Sequence, residues 1–276
     1  MRAQDEPGVV PFEKWHGLGN DFVIVDEAYA PQLRAHVAGI CDRRRGVGAD
    51  GVLFVEREPA AMRVVNADGS EPEMCGNGLR CVAAFLGNAE QRFAIETGAG
   101  ALTVDVGTRG GLPWVTSSLG RGVLGAAAVG GSGDALTWQD ARAGEGALVS
   151  MGNPHWVFLD PPDPEQLDVD GPRMERDARF PRRTNVEWVY PLGEGWRAEV
   201  WERGCGRTQA CGTGAAACAL ALVHAGRAAR GTWLHIALPG GTLEVRVEAD
   251  DTVWVAGPAR RVFRGALDVE TLRAAR

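Results

Sequence analysis

Short apolar runs separated by glycine, proline and charge dominate the chain, and two longer small-residue stretches with helical spacing interrupt them. Residues 12–15 and 22–26 read as strands flanking HGLGNDF at 16–22, after a loose leader over 1–11. The Gly17-Leu18-Gly19-Asn20 turn is either an ordinary hairpin turn or a device that sets the Asn20 amide in a cleft. Pro31 opens a helix with Leu33, Val37, Ile40 and Cys41 on one face. Residues 52–55 and 62–65 are β-branched-rich strands, a helix runs from about Asn77 to Gly87, and residues 93–96, 102–106 and 114–116 continue as strands. The second half repeats this order. Strands at 147–151 and 156–159 flank GNPH, a proline-rich loop covers 160–166, and strands at 184–190 and 196–203 follow. Trp196, Ala198 and Val200 share one face of the last of these. A helix apolar nearly all round spans 212–225 and is therefore buried; strands at 232–238, 242–248 and 253–256 and a final strand with a short helix from 262 complete the chain.

An internal repeat of low identity lies under this order. NADGSEPEMCGNGLRC (66–81) and ERGCGRTQACGTGAAAC (202–218) each place Cys-Gly-x-Gly directly before a helix, with Asn66 or Glu202 nine positions ahead of Cys75 or Cys211. Free backbone N–H groups and the positive end of the helix dipole meet at such a point, so a thiolate is stabilised and a carboxylate can dock. The dipole contributes about 0.3–2 kcal/mol, enough for a usable thiolate. The glycines let the backbone approach a bound anion closely and add donors for charge that develops on it. The remaining thiols carry less. Cys41 and Cys81 sit among apolar neighbours and read as core residues.

Composition bounds the possibilities. At 276 residues, with 45% hydrophobic and 24% charged residues, the chain fits a globular protein of about two domains. A net charge of −7 argues against nucleic acid, and Arg43-Arg44-Arg45 and Arg182-Arg183 read as solvated faces. No apolar run approaches the ~18 residues of a membrane span, and the first residues lack a signal-like core, so a cytoplasmic protein without membrane contact is expected. The spacings Cys75 to Cys81 and Cys205 to Cys211 to Cys218 do not resemble zinc sites, and no metal is expected. A literal G-x-G-x-x-G at Gly120, Gly122 and Gly125 is not followed by a sustained helix, because Gly130, Gly131 and Gly133 interrupt it. It reads as an interdomain connection.

The fold class expected is α+β, with two pseudo-symmetric lobes, each a bent, largely antiparallel sheet or barrel around a central helix. Residues 1–118 carry Cys75 and 119–261 carry Cys211. Each helix would point its cysteine toward the other half, where small-molecule sites are favoured. Two thiols on opposite sides of one carbon suit removal of a proton from one face and its return to the other, inverting a centre α to a carboxylate. No cofactor is needed. The plainer alternative is two buried cysteines in ordinary helices.

HGLGNDF, NADGSEPEMCGNGLRC, GNPH and ERGCGRTQACGTG occur in the order of one family and span most of the chain, which resembles the diaminopimelate epimerases. The resemblance implies an isomerase without pyridoxal phosphate that interconverts LL- and meso-2,6-diaminopimelate, in lysine and peptidoglycan precursor synthesis. It also implies a homodimer and the two-lobed fold, with the C-terminal strand, 262–276, returning to the first lobe. By the same resemblance Cys75 and Cys211 are the catalytic pair, and Gly76, Asn77, Gly212 and Thr213 hold the reacting carboxylate at the helix ends. Asn20, Asn66, Asn153, Asn185 and Arg203 recognise the substrate, largely at its distal end, and His155 and Glu202 are the polar pair beside the reacting centre. Gly51 stands where some members carry a substrate-contacting glutamine; Arg207 and Gln209 replace a common Glu and Leu; Cys205 occupies a variable slot. The proline racemases and phenazine-pathway isomerases share the implied fold. The cysteine pair argues against the second, and the NADGSE and ERG contexts against the first.

Overall fold

A computed structural model describes residues 8–88, 90–163 and 166–274. Residues 1–7 of the expected leader and residues 164–165 of the expected 160–166 loop lie outside the described residues. What is described of the leader is not loose, because the first strand already starts at Val9. The chain divides into two compact units, Met1–Ser117 with Pro258–Arg276, and Ser118–Gly257.

In the first unit, Val9–Gly17 pairs antiparallel with Asn20–Asp26, which lies parallel to Gly51–Arg57, itself antiparallel to Ala60–Asn66. The chain then forms the Gly76–Leu86 helix and returns as Gln91–Thr97, parallel to Ala60–Asn66. Gly100–Arg109 and Leu112–Arg121 extend the antiparallel run. Arg260–Asp268 comes back to pair with Val9–Gly17, Val9 opposite Asp268. Side chains alternate across a strand, so the runs at 22–25 and 52–55 feed two separate cores. Phe22, Ile24, Leu53 and Val55 join Leu79 and Val82 of the long helix, whereas Val23, Val25, Val52 and Phe54 join Leu33, Val37 and Ile40 on the other face. A strand buried on both faces loses the polar alternation of a surface strand, which is why these runs are continuously apolar. The expected helix from Pro31 is not continuous. It breaks into Ala30–Leu33, the 3-10 turn Arg34–His36 and Val37–Cys41, while still burying Leu33, Val37, Ile40 and Cys41.

The second unit repeats the same sequence of pairings. Gly144–Ser150 is antiparallel to Pro154–Phe158, which is parallel to Asn185–Leu192, itself antiparallel to Gly195–Glu202. After the Gly212–His224 helix, Leu234–Leu238 lies parallel to Gly195–Glu202 and continues antiparallel into Gly241–Val247 and Thr252–Pro258. The correspondence runs strand for strand with the first unit, and the cysteine helix occupies the same crossover in both. A parallel return needs a crossover of a dozen or more residues, and this fixes where the two helices stand. Trp156, Phe158 and Trp188 pack with Phe180 and Met174 in one core, while the Gly212–His224 helix, buried from Gly214 to Val223, packs on the strands. The glycine-rich stretch 120–134 is not a connection. The N–H of Gly122 donates to the carbonyl of Asp251 and that of Gly125 to Leu148, inside the second unit.

A charge cluster ties the first unit together. Lys14 is buried and lies 2.7 Å from Asp21, which also receives both terminal nitrogens of Arg43 at 3.1 and 2.7 Å. Burial opposes ionisation of Asp21, but the hydrogen bonds from Arg43 and Lys14 outweigh it and hold the carboxyl at about 2. Such a group stabilises the fold above its unfolded value near 3.8, and that contribution is lost as pH falls through about 2. Asp21→Asn leaves Lys14 without its counter-charge and should cost on the order of 3 kcal/mol at neutral pH. In denaturant titrations the gap between variant and parent should shrink as pH falls from about 4 toward 2; a gap independent of pH would assign the loss to packing alone.

Candidate active site

In the first unit Cys75 is the N-cap of the Gly76–Leu86 helix, with extended backbone at φ −134° and ψ 113°. Its Sγ accepts the N–H of Gly78 at 3.5 Å, taking the place an oxygen usually fills. A Cβ on Gly78 would press on Leu53 at 3.2 Å and touch the Cys75 Cβ at 3.5 Å, so the glycine eases the packing behind the cap. Beside the thiol, Asn20 Oδ1 lies 3.9 Å from Sγ and accepts the Asn77 amide at 3.1 Å. Both amides have fixed orientations. Asn20 donates its nitrogen to Asp50 at 2.7 Å, so its oxygen faces Cys75, and Asn77 presents its own oxygen to Arg80 at 2.6 Å.

The second unit builds a matching cap. Cys211 Sγ accepts the N–H of Gly214 at 3.3 Å and lies 3.5 Å from the Thr213 hydroxyl. Burial pushes the Cys211 thiol well above its ordinary range, and the charges of Glu202 and Glu187 push the same way against the Thr213 and Gly214 bonds. Asn153 donates to Thr213 at 3.3 Å, which turns its Oδ1 toward His155 Nε2 at 3.0 Å. The other ring nitrogen lies 2.7 Å from Glu187 Oε1, and both residues are fully buried. Burial raises the Glu187 carboxyl, while the charge and hydrogen bond of His155 oppose that shift. Asn185 and Arg203 form a further pair. The Arg203 backbone N–H donates to Asn185 Oδ1 at 2.9 Å, Asn185 donates to the Pro154 carbonyl at 2.9 Å, and the Arg203 guanidinium donates to the Arg182 carbonyl at 3.1 Å.

The structure thus joins Asn20, Gly76 and Asn77 to Cys75, and Asn153, His155, Gly212 and Thr213 to Cys211. Glu202 ends the Gly195–Glu202 strand and acts on Cys211 through its charge. Asn66 ends the corresponding strand of the first unit and donates to Ser70 at 3.0 Å, holding the turn that follows. Gly51 lies opposite Asn66, and a Cβ there would stand 2.8 Å from the Val65 carbonyl, so the backbone leaves no room for a longer residue. Cys205 is exposed, and Cys41, Cys81 and Cys218 are buried. Three residues of the two clusters were not singled out from the sequence: Asp50, Arg80 and Glu187. Glu187 had a usable signal, as an acid inside the apolar run 184–190. Arg80 had one too, as a charge on the second turn of an otherwise apolar helix.

A family model described as diaminopimelate epimerase matches residues 12–124 and 147–262. The diaminopimelate epimerase of Synechococcus elongatus is 42% identical over 279 residues, covering 94% of this chain and 98% of its own. That of Desulforudis audaxviator is 43% identical over 273 residues, covering 92% of this chain and 98% of its own. Among solved structures, a predicted epimerase from Pseudomonas aeruginosa has a TM-score of 0.68 at 19% identity, covering 94% of this chain and 99% of its own. That last likeness is one of fold.

The His155–Glu187 contact yields a direct test. Glu187→Leu strands a buried ring nitrogen, whereas Glu187→Gln can still bond it. The leucine variant should therefore be less stable than the glutamine variant by about 1–3 kcal/mol in chemical denaturation. Equal stabilities would mean that the pair does not hold the second unit together.

Proposed function

The chain belongs to the diaminopimelate epimerase family, and from that premise we propose that Cys75 and Cys211 are the two acid/base groups of its reaction. The reaction is the interconversion of LL- and meso-2,6-diaminopimelate. The observation that carries the assignment is the pair of equivalent caps, one per unit, in which a thiol accepts the amide of the third helical residue.

In each direction one cysteine acts as thiolate and takes the α-proton as its S–H bond forms and the C–H bond breaks. The electron pair left on carbon delocalises into the adjacent carboxylate. The other cysteine, as thiol, gives its proton to the opposite face and becomes the thiolate, and the roles exchange for the reverse reaction. Charge that accumulates on the reacting carboxylate is stabilised by helix-end donors from Gly76, Asn77, Gly212 and Thr213. Asn66, Asn185 and Arg203 suit the distal amino-acid end, where a guanidinium can bind the carboxylate that must not react. Asn20 and Asn153 serve beside the thiols, and His155 and Glu202 set the polarity near Cys211. The N-terminal lobe, 1–118 with the C-terminal strand 262–276, carries the first half of this machinery and 119–261 the second. The reading includes a homodimer, supported by the exposed Val262 and Phe263 on Arg260–Asp268, and a cytoplasmic setting. Among the described residues no helix is long and apolar enough to cross a membrane.

Turnover in deuterated water without added pyridoxal phosphate should place solvent deuterium at the inverted α-carbon, because the returned proton comes from an exchangeable thiol. Mass spectrometry of the product reads this directly. Inversion without deuterium uptake would rule out the two-thiol scheme.

A further inference from the structure

Glu175 breaks two local rules at once. It ends the Gln166–Glu175 helix, where the dipole favours a cation, and it is buried. A carboxylate in such a place is stable only with hydrogen-bond donors around it. Here they come from two other stretches of the second unit. Oε2 accepts the Trp201 indole N–H at 2.9 Å, and Oε1 accepts the Gly204 backbone N–H at 3.0 Å, with Arg183 Nη1 at 3.5 Å on the same oxygen. The helix also seats the indole: a Cβ on Gly171 would stand 2.6 Å from the Trp201 ring, so the backbone lies directly on it.

Between Trp201 and Gly204 lie Glu202 and Arg203, and the carboxylate therefore grips the turn that carries them from both sides. The backbone carbonyl of Glu175 accepts the Thr184 N–H at 3.1 Å, which ties the helix end to the segment 182–185 as well. That segment supplies both partners of Arg203: Asn185 Oδ1 takes its backbone N–H at 2.9 Å, and the Arg182 carbonyl takes its guanidinium at 3.1 Å. Glu175 thus joins the two pieces of chain whose spacing decides where the guanidinium points. Arg203 itself is exposed, and its guanidinium is held by a neutral carbonyl, which leaves its charge for a ligand.

The first unit holds its equivalent turn differently, with the turn's own residues. Asp68 Oδ1 accepts the Ser70 N–H at 2.9 Å and the Ser70 hydroxyl at 2.6 Å, and Asn66 donates to Ser70 Oγ at 3.0 Å. Position 67, one beyond Asn66 as Arg203 is one beyond Glu202, is alanine. The turn without a binding side chain holds itself, and the turn that carries an arginine is braced from outside.

We propose that Glu175 is a positioning residue for substrate recognition: its buried carboxylate braces the 201–204 turn so that Arg203 meets the distal carboxylate of diaminopimelate, and it sets the affinity for that end without touching substrate. The inference rests on the reading of Arg203 as the group that binds the distal carboxylate. A charged side chain ordered before substrate arrives loses less freedom on binding, so the brace acts on KM. The thiols are capped separately, on the Gly78 and Gly214 amides, and proton transfer does not depend on Glu175.

The test is a double-mutant cycle on the full-length protein, read by steady-state kinetics with LL-diaminopimelate. Glu175→Gln keeps the shape of the side chain but removes its charge and turns an amide N–H toward one of the two donors. It should raise KM about tenfold, with kcat within about threefold of the parent. Trp201→Phe removes the indole donor and keeps an aromatic ring against Gly171; it should also raise KM, and it carries the test if Glu175→Gln does not fold. In an Arg203→Met background neither change should lower kcat/KM by more than about twofold, since the guanidinium they position is gone. An unchanged KM in the folded variant, an equal loss of kcat/KM with and without Arg203, or a fall in kcat at constant KM would overturn the proposal. Arg203→Met alone separates the two claims. A near-parental KM there refutes the role of Arg203 and the brace with it, whereas a large rise in KM beside an unmoved Glu175→Gln refutes the brace alone.

Discussion

A sulfur that caps a helix is the interaction on which both units depend. Oxygen-bearing side chains are the usual N-caps because they accept well from the free amides; a cysteine accepts weakly as a thiol and strongly as a thiolate. The cap is therefore tighter in the thiolate form, although around Cys211 burial and the charges of Glu202 and Glu187 outweigh it and raise the thiol. Two features make the geometry possible. The cysteine keeps an extended backbone at the helix entry, and the third helical residue is glycine, Gly78 or Gly214; a Cβ on Gly214 would stand 3.2 Å from the Cys211 sulfur, and one on Gly78 would press on Leu53. Each helix is in turn the crossover between two parallel strands, Ala60–Asn66 with Gln91–Thr97 and Gly195–Glu202 with Leu234–Leu238. The position of the thiol is inherited from the sheet.

Around this shared device the units differ in charge. The first surrounds its cap with amides whose orientations are fixed from behind, by Asp50 on Asn20 and by Arg80 on Asn77. The second surrounds its cap with the Thr213 hydroxyl, the Asn153 amide and a buried His155–Glu187 pair. Fixing a buried amide matters because its two ends differ in sign, and a flip would exchange an acceptor for a donor beside the sulfur. A duplicated scaffold thus holds two thiols whose surroundings are not duplicates. For a reaction that needs one thiolate and one thiol at any moment, that inequality is useful.

Much of this was legible in the sequence because it is local. Cys-Gly-x-Gly before a helical run specifies a thiol-capped helix entry within four residues, and the apolar runs at 22–25 and 52–55 announce strands buried on both faces. What failed to show depends on contacts distant in sequence. The helix expected from Pro31 has the right buried face, yet it breaks at Arg34–His36. Glycines at 120–134 suggested a flexible connection, but the Gly122 and Gly125 amides are tied to Asp251 and Leu148, which no local pattern predicts. Asp50 and Glu187 are visible as charges in apolar surroundings, but their roles come from partners about 30 residues away, Asn20 and His155, whereas Arg80 bonds locally, to Gly76 and Asn77 of its own helix. The closed slot at Gly51 has the same origin, in the approach of the neighbouring strand at Val65.

The claim that one thiol serves each face is tested most directly by replacing the cysteines singly with alanine and following α-proton exchange with solvent apart from inversion. A protein with one remaining thiol can remove a proton from one face and return it only to that face. Cys75→Ala and Cys211→Ala should both lose epimerisation, and each should retain slow exchange with only one of the two isomers, LL-diaminopimelate for one variant and the meso form for the other. Exchange of both isomers by a single variant, or epimerisation that survives loss of either thiol, would contradict the account.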